Sequence, residues 1–292
     1  MSAFPGRERL LTMLAPFSQG TAAHPAVSFA GIRFLAKELQ LPERDVMTAL
    51  LRQDIWPLRL VRGRGAFSGE DIARLMELRI LMAGCGGLGG MTAELLARMG
   101  AGHLVLCDPD VFEESNLNRQ CFCTEKTLGL PKAEACRSGL LDIAPYMDIE
   151  ALPVALDEKN LPGLLERADV VIDCLDSVAK KKMLEKAAWT AGVPCVHGAV
   201  SRSEGFTMFD SGIPLPCALL YPEEGEQAAD HAPMDAHALT VAGTSCLMVS
   251  LLMRRIRGHR SGDGRLFHID LSIPELEALA FRSDSAARDT SF

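Results

Sequence analysis

RILMAGCGGLGGMTAELLARMGAGHLVLCD, residues 79–108, sets the architecture of this chain. RILMAG (79–84) is an apolar run of strand length, GCGGLGG (84–90) a tight turn, MTAELLARMG (91–100) a helix, and HLVLCD (103–108) a second strand. Gly84, Gly86 and Gly89 fill the three glycine places of GxGxxG. There, missing side chains let a nucleotide reach the peptide N–H groups at a helix N-terminus. Asp108 closes the second strand about 20 residues further on, the usual place for a carboxylate that accepts ribose hydroxyls.

The alternation continues downstream. Residues 129–144 predict a helix and Ile149–Leu156 a strand, followed by helix 161–168, the strand DVVIDCLD (169–176), helix 178–192 and the strand VPCVHGA (193–199). GFTMF (205–209) adds a further strand. Residues 213–235 form a Pro- and acid-bearing loop whose length implies that it covers or binds something. Residues 239–258 predict an apolar helix with a basic last turn, LFHIDLS (266–272) a late strand, and residues 281–292 a frayed tail. The expected fold is therefore α/β, a three-layer Rossmann-like open sheet with helices on both faces and ligands beyond the carboxyl ends of its strands.

Upstream, residues 1–57 read as a helical N-terminal extension: a short helix and loop to residue 27, then two helices around Leu41-Pro42. The paired helices present no recognition surface for DNA, so packing is the better reading. Ser68 to Asp71 mark another helix start. The nucleotide-binding unit then runs over residues 58–280.

Composition agrees with this division. The 292 residues are 48% hydrophobic and 23% charged, enough to bury an ordinary core. With 5% aromatics and 13 Met, that core is built from aliphatic side chains, which favours helices packed on a sheet. A net charge of −8 disfavours general nucleic-acid binding and anionic membranes, although a local basic site remains compatible with it. Nine cysteines, several inside apolar runs, do not make a disulfide scaffold. No processed leader or uncharged span of about 18 apolar residues is legible, so the expected compartment is the cytoplasm.

A dinucleotide oxidoreductase would use the glycine turn but leave PDVFEESNLNRQ (109–120) idle. Asp110, Asn116, Arg119, Gln120 and Lys132 bring two cations and several hydrogen-bonding groups to the phosphate side of the sheet, which suits a triphosphate better. Asp176, at the end of another strand, is placed to hold Mg2+, while Asp173 supports the strand end.

Here the sequence closely resembles the ubiquitin-activating-like MoeB/ThiF/HesA superfamily of adenylating proteins over about residues 59–255. The resemblance is carried by GxGGLG at Gly84–Gly89, the pair Asp108 and Asp110, SNLNRQ at Ser115–Gln120, GLPKA at Gly129–Ala133, and Asp176. It implies that Asp108 binds the ATP ribose and that Gly86 and Gly87 permit close nucleotide approach. Asn116, Arg119 and Lys132 would contact phosphates, with Asp176 helping to coordinate Mg2+. The family's arginine motif is similar to RLVRG at Arg59–Gly63. By that likeness Arg62 would reach the ATP site of a partner subunit, which implies a homodimer; Arg64 is a nearby alternative. The implied reaction is attack of a carboxylate on the α-phosphate of ATP, with pyrophosphate leaving. The carboxylate would be the C-terminal glycine of a small ubiquitin-like or sulfur-carrier protein. A related branch acts on modified tRNA, which the acidic charge balance disfavours. A nonenzymatic nucleotide-binding scaffold is the remaining alternative.

Several positions depart from the family pattern. The two CxxC pairs that bind structural Zn2+ in many bacterial relatives are missing, so that Zn2+ is expected to be absent. Cys217 lies in the long loop where relatives can present a thiol, and a structural or incidental cysteine is the favoured reading. Cys195 and His197 read as strand residues, with His197 hydrogen-bonded in the ordinary way; His231 and His237 are weak metal candidates. After Asp176, Ser177 stands where relatives have Asn, and Lys181 is taken as the substitute for their arginine.

Overall fold

A computed structural model describes residues 4–21, 23–210, 235–259 and 264–280. The N-terminal part contains α1 (Arg7–Leu14), α2 (Phe29–Leu39) and α3 (Glu43–Arg52), as the periodicity predicts. It also contains three strands that the periodicity does not show: β1 (Ser18–Gly20), β2 (Pro25–Val27) and β3 (Trp56–Pro57). β1 pairs antiparallel with β2, and β2 parallel with β3. Strands of two or three residues are too short to display a period of two, and β3 lies far along the chain from the β2 it pairs with. Leu10, Leu35, Leu50 and Trp56 share one core with Ile72, Leu75 and Met76 of α4 (Gly69–Glu77). A reciprocal capping box between Ser68 and Asp71 starts α4, as its small polar and acidic residues foretell.

The main sheet contains β4 (Arg79–Ala83), β5 (His103–Cys107), β6 (Asp148–Leu152), β7 (Val170–Asp173) and β8 (Cys195–Ser201). It continues through β9 (Glu204–Asp210), β10 (Arg265–Asp270) and β11 (Glu275–Ala280). Their order is β11-β10-β9-β8-β7-β4-β5-β6. β4 to β8 run parallel, whereas β9, β10 and β11 extend the sheet antiparallel. The helices that accompany it are α5 (Gly87–Met99), α6 (Lys132–Ile143), α7 (Leu161–Leu165), α8 (Val178–Ala191) and α9 (Ala238–Ile256).

Alternate side chains of β4 serve opposite faces. Ile80 and Met82 join Leu96 and Ala97 of α5, Leu140 of α6, and Met248 and Leu252 of α9. Leu81 and Ala83 join Leu161 and Leu164 of α7 and Leu184 and Ala188 of α8. This is the expected three-layer Rossmann-like arrangement. β11 lies outside the sequence reading, because ELEALA has the composition of a helix and its side chains gain little burial at the sheet edge. α9 is long and apolar enough to cross a membrane by length and composition alone, but 61% of its apolar window is buried. The expected tail at 281–292 lies outside the described residues.

Candidate active site

The chain leaves β4 to build β5 and β6 on one side, then returns to build β7 and β8 on the other. The crevice at the carboxyl ends of β4 and β7 is therefore the topological switch point. A cavity of about 680 Å³ opens there. Gly84, Gly86 and Gly87 line one wall, Asp108, Asp110, Asn116, Arg119, Gln120 and Lys132 a second, and Asp176 and Lys180 the far rim.

The glycine turn depends on its missing side chains. Gly84 has a φ of +94°, and its N–H donates to Cys107 O at 2.8 Å. A Cβ on Gly89 would stand 1.9 Å from Gly84 O, so the turn could not close against α5. Gly86 is the N-cap of α5 and exposes the first N–H groups of that helix to the cavity.

Asp108 is 5% exposed and locks the two strand ends together. Its Oδ2 accepts from the Cys85 N–H at 2.7 Å, and its Oδ1 from the Asp110 N–H at 2.9 Å. Burial pushes its carboxyl above the ordinary range, although both N–H bonds and Lys132 oppose this. Each oxygen retains acceptor capacity toward the cavity.

The polar insertion folds back over this wall. The Lys132 N–H donates to Asp110 O at 2.9 Å, and Lys132 Nζ pairs with Asp110 Oδ2 at 3.0 Å. Lys132 is 8% exposed, so an ammonium is held at the cavity surface at the start of α6. Asn116 closes a 3-10 turn at Glu114–Asn116 by accepting the Glu113 N–H at 3.1 Å. Arg119 Nη1 donates to Ser115 O at 3.0 Å and to Asn118 Oδ1 at 2.9 Å. Gln120 lies over Gly86, and its buried Oε1 has no hydrogen-bond partner among the described residues. The sequence-expected residues of this wall therefore share one cavity.

Lys181 is a correction. It is 4% exposed, does not line the cavity, and donates to Asp173 Oδ2 at 3.2 Å and to Gly198 O at 2.7 Å. Lys180 lines the cavity instead. One position is about 100° around a helix, and the phase of α8 is fixed by its packing on the sheet. Asp173 supports the strand end as expected: it is fully buried, it accepts the Leu175 N–H at 3.0 Å, and its Oδ2 meets His197 Nδ1 at 3.1 Å. Burial disfavours its charge, but Lys181 and His197 outweigh that and hold it below the usual carboxylate range.

Among the arginines ahead of α4, Arg59 donates to Ile143 O at 2.8 Å and stacks over Tyr146, and Arg64 pairs with Asp54. Arg62 is exposed in a 3-10 turn, outside the cavity of its own chain, and makes no ion pair among the described residues. His237 caps α9 by accepting the Thr240 N–H at 3.4 Å. Cys217 and His231 lie outside the described residues. Val154, Ala155 and Leu156, together with Val241, form an apolar lining that the sequence reading did not assign; no motif marks it.

Backbone donors at a helix N-terminus, with cations and carboxylates gathered around the crevice at the switch point, mark a nucleotide-binding α/β protein. The chain belongs to the ThiF family, whose family model matches residues 60–287. The SAMP-activating enzyme E1 of Haloferax volcanii is 30% identical over 221 residues, covering 74% of this chain and 81% of that protein. The molybdopterin-synthase adenylyltransferase of Escherichia coli is 38% identical over 152 residues, 52% of this chain and 60% of the relative's length. Among solved structures, E. coli MccB with ATP aligns with a TM-score of 0.64 at 16% identity, covering 77% of this chain and 72% of that one.

Proposed function

We propose that this protein is an ATP-dependent adenylyltransferase. It activates the C-terminal carboxylate of a small ubiquitin-like or sulfur-carrier protein and releases pyrophosphate. One observation carries the reading: the fold gathers Gly84, Gly86, Gly87, Asp108, Asn116, Arg119, Gln120 and Lys132 opposite Asp176 around a single cavity. An oxidoreductase would have no use for the cationic wall, and the curated relatives named above are activating enzymes or adenylyltransferases by name.

The residues divide the work by charge. Asp108 receives the ribose hydroxyls, and the buried Gln120 Oε1 is a further acceptor for the nucleotide. The N-terminus of α5, with Arg119 and Lys132, faces the phosphates, where fixed donors act on charge as it develops. Asp176 is exposed on the rim and has no ion pair among the described residues, which fits a carboxylate that holds Mg2+. The ion, when bound, neutralises phosphate charge. The attacking carboxylate is already ionised near neutral pH, so no general base is needed, and positioning supplies much of the rate. We place this chemistry in residues 58–280, with 1–57 as an addition to it and 281–292 as a tail. We further propose a cytoplasmic homodimer in which Arg62 reaches the partner's cavity.

ATP–pyrophosphate exchange with purified small proteins ending in Gly-Gly tests the reading. Exchange should depend on the carrier and on Mg2+, and should disappear with Asp176→Asn. Carrier-independent exchange would overturn the proposed substrate, and tight NAD binding without ATP binding the whole assignment.

A further inference from the structure

We propose that Glu185, His197 and Asp210 form a buried site for one divalent transition-metal ion, with Zn2+ as the species that matches their donor atoms. The proposal is independent of the nucleotide chemistry, because none of the three lines the active-site cavity.

Three elements converge to build the site. Glu185 comes from α8, His197 from β8 and Asp210 from the last position of β9, and one candidate ligand atom from each lies within 4.8 Å of the others. They are 1%, 6% and 5% exposed. His197 Nε2 stands 3.5 Å from Glu185 Oε1. That is close to the ligand–ligand spacing of about 3.4 Å expected around a tetrahedral Zn2+ with bonds of about 2.0–2.1 Å.

The imidazole is already oriented for this task. Its Nδ1 stands 3.1 Å from Asp173 Oδ2, and with that carboxylate accepting a hydrogen bond from Nδ1–H, Nε2 is the ring atom turned toward Glu185. Metal-binding histidines are commonly held by such a carboxylate. Cys195 Sγ lies 3.9 Å from Nδ1, on the Asp173 side of the ring and away from Nε2. The donor set is therefore nitrogen and oxygen.

A metal here would tie α8 to two strands. Through Asp173 and its bond from the Leu175 N–H, it would also brace the strand end that carries Asp176.

The test uses the full chain, stripped by chelator dialysis and then titrated with ZnCl2 or CoCl2. Emission spectrometry should count one ion per chain after gel filtration. Glu185→Gln/His197→Gln should abolish retention, and Asp210→Asn should weaken it at least about 10-fold. The wild-type cobalt form should show visible d–d bands without thiolate charge transfer, a readout that requires no variant to fold. Failure of the wild type to retain zinc or cobalt would overturn the site, as would thiolate charge-transfer bands or unchanged retention by the double variant.

Discussion

Lys132 Nζ donates to Asp110 Oδ2 at 3.0 Å, although the two residues are 22 positions apart and Lys132 is nearly buried while Asp110 is largely exposed. The pairing parks an ammonium at the cavity wall without enclosing its counter-charge, so phosphate oxygens can compete for it. Lys132→Ala should lower exchange turnover by about 10²–10³-fold, the scale for removing one fixed donor to developing charge. Asp110→Asn should leave the lysine in place and cost much less. Steady-state exchange kinetics on both variants, with ATP varied, separate the two outcomes.

Arg62 lies outside its own chain's cavity, so its proposed role requires a partner. Arg62→Ala and Lys132→Ala should each be nearly inactive alone. After denaturation and joint refolding, a mixed dimer regains one site with both residues intact, and statistical mixing should restore about a quarter of wild-type activity. No restoration would place Arg62 outside the neighbouring site.

Lys180 and Lys181 should give opposite phenotypes. Lys181→Met leaves the buried Asp173 without its ammonium and should destabilise the fold by roughly 3–5 kcal/mol. Lys180→Ala should change stability by less than about 0.5 kcal/mol. Because Lys180 lines the cavity, its loss should instead raise KM for ATP by about 10-fold or more, the scale of one hydrogen bond to a charged group. Urea unfolding and exchange kinetics on the same preparations distinguish them.

The Arg79–Asp169 pair anchors the start of β4 to β7. Burial opposes ionisation of Asp169, but bonds from the Arg79 guanidinium and N–H outweigh it and hold the carboxyl below its ordinary value of 3.8. The unfolded chain binds this proton more readily, so the pair stabilises the fold above about pH 4 and loses that contribution as pH falls through the folded-state value. Asp169→Asn should flatten the acid limb of the stability profile by about 1 kcal/mol or less, because the pair is partly exposed. Thermal melts between pH 3 and pH 7 read this directly.

The sequence by itself determined the class of fold and most of the residues that line the cavity. Strand-turn-helix periodicity is local, and Gly84, Gly86, Gly89, Asp108 and the SNLNRQ segment sit at set distances from it. What only the tertiary structure decided depends on long-range packing. The choice of Lys180 over Lys181 follows from the rotation of α8 on the sheet. β3 exists because the distant Ala26 and Val27 pair with Trp56 and Pro57, and β11 because β10 offers it an edge. The Glu185–His197–Asp210 cluster unites a helix and two strands that carry no common motif. Contacts between elements depend on how those elements pack together, which no local periodicity encodes.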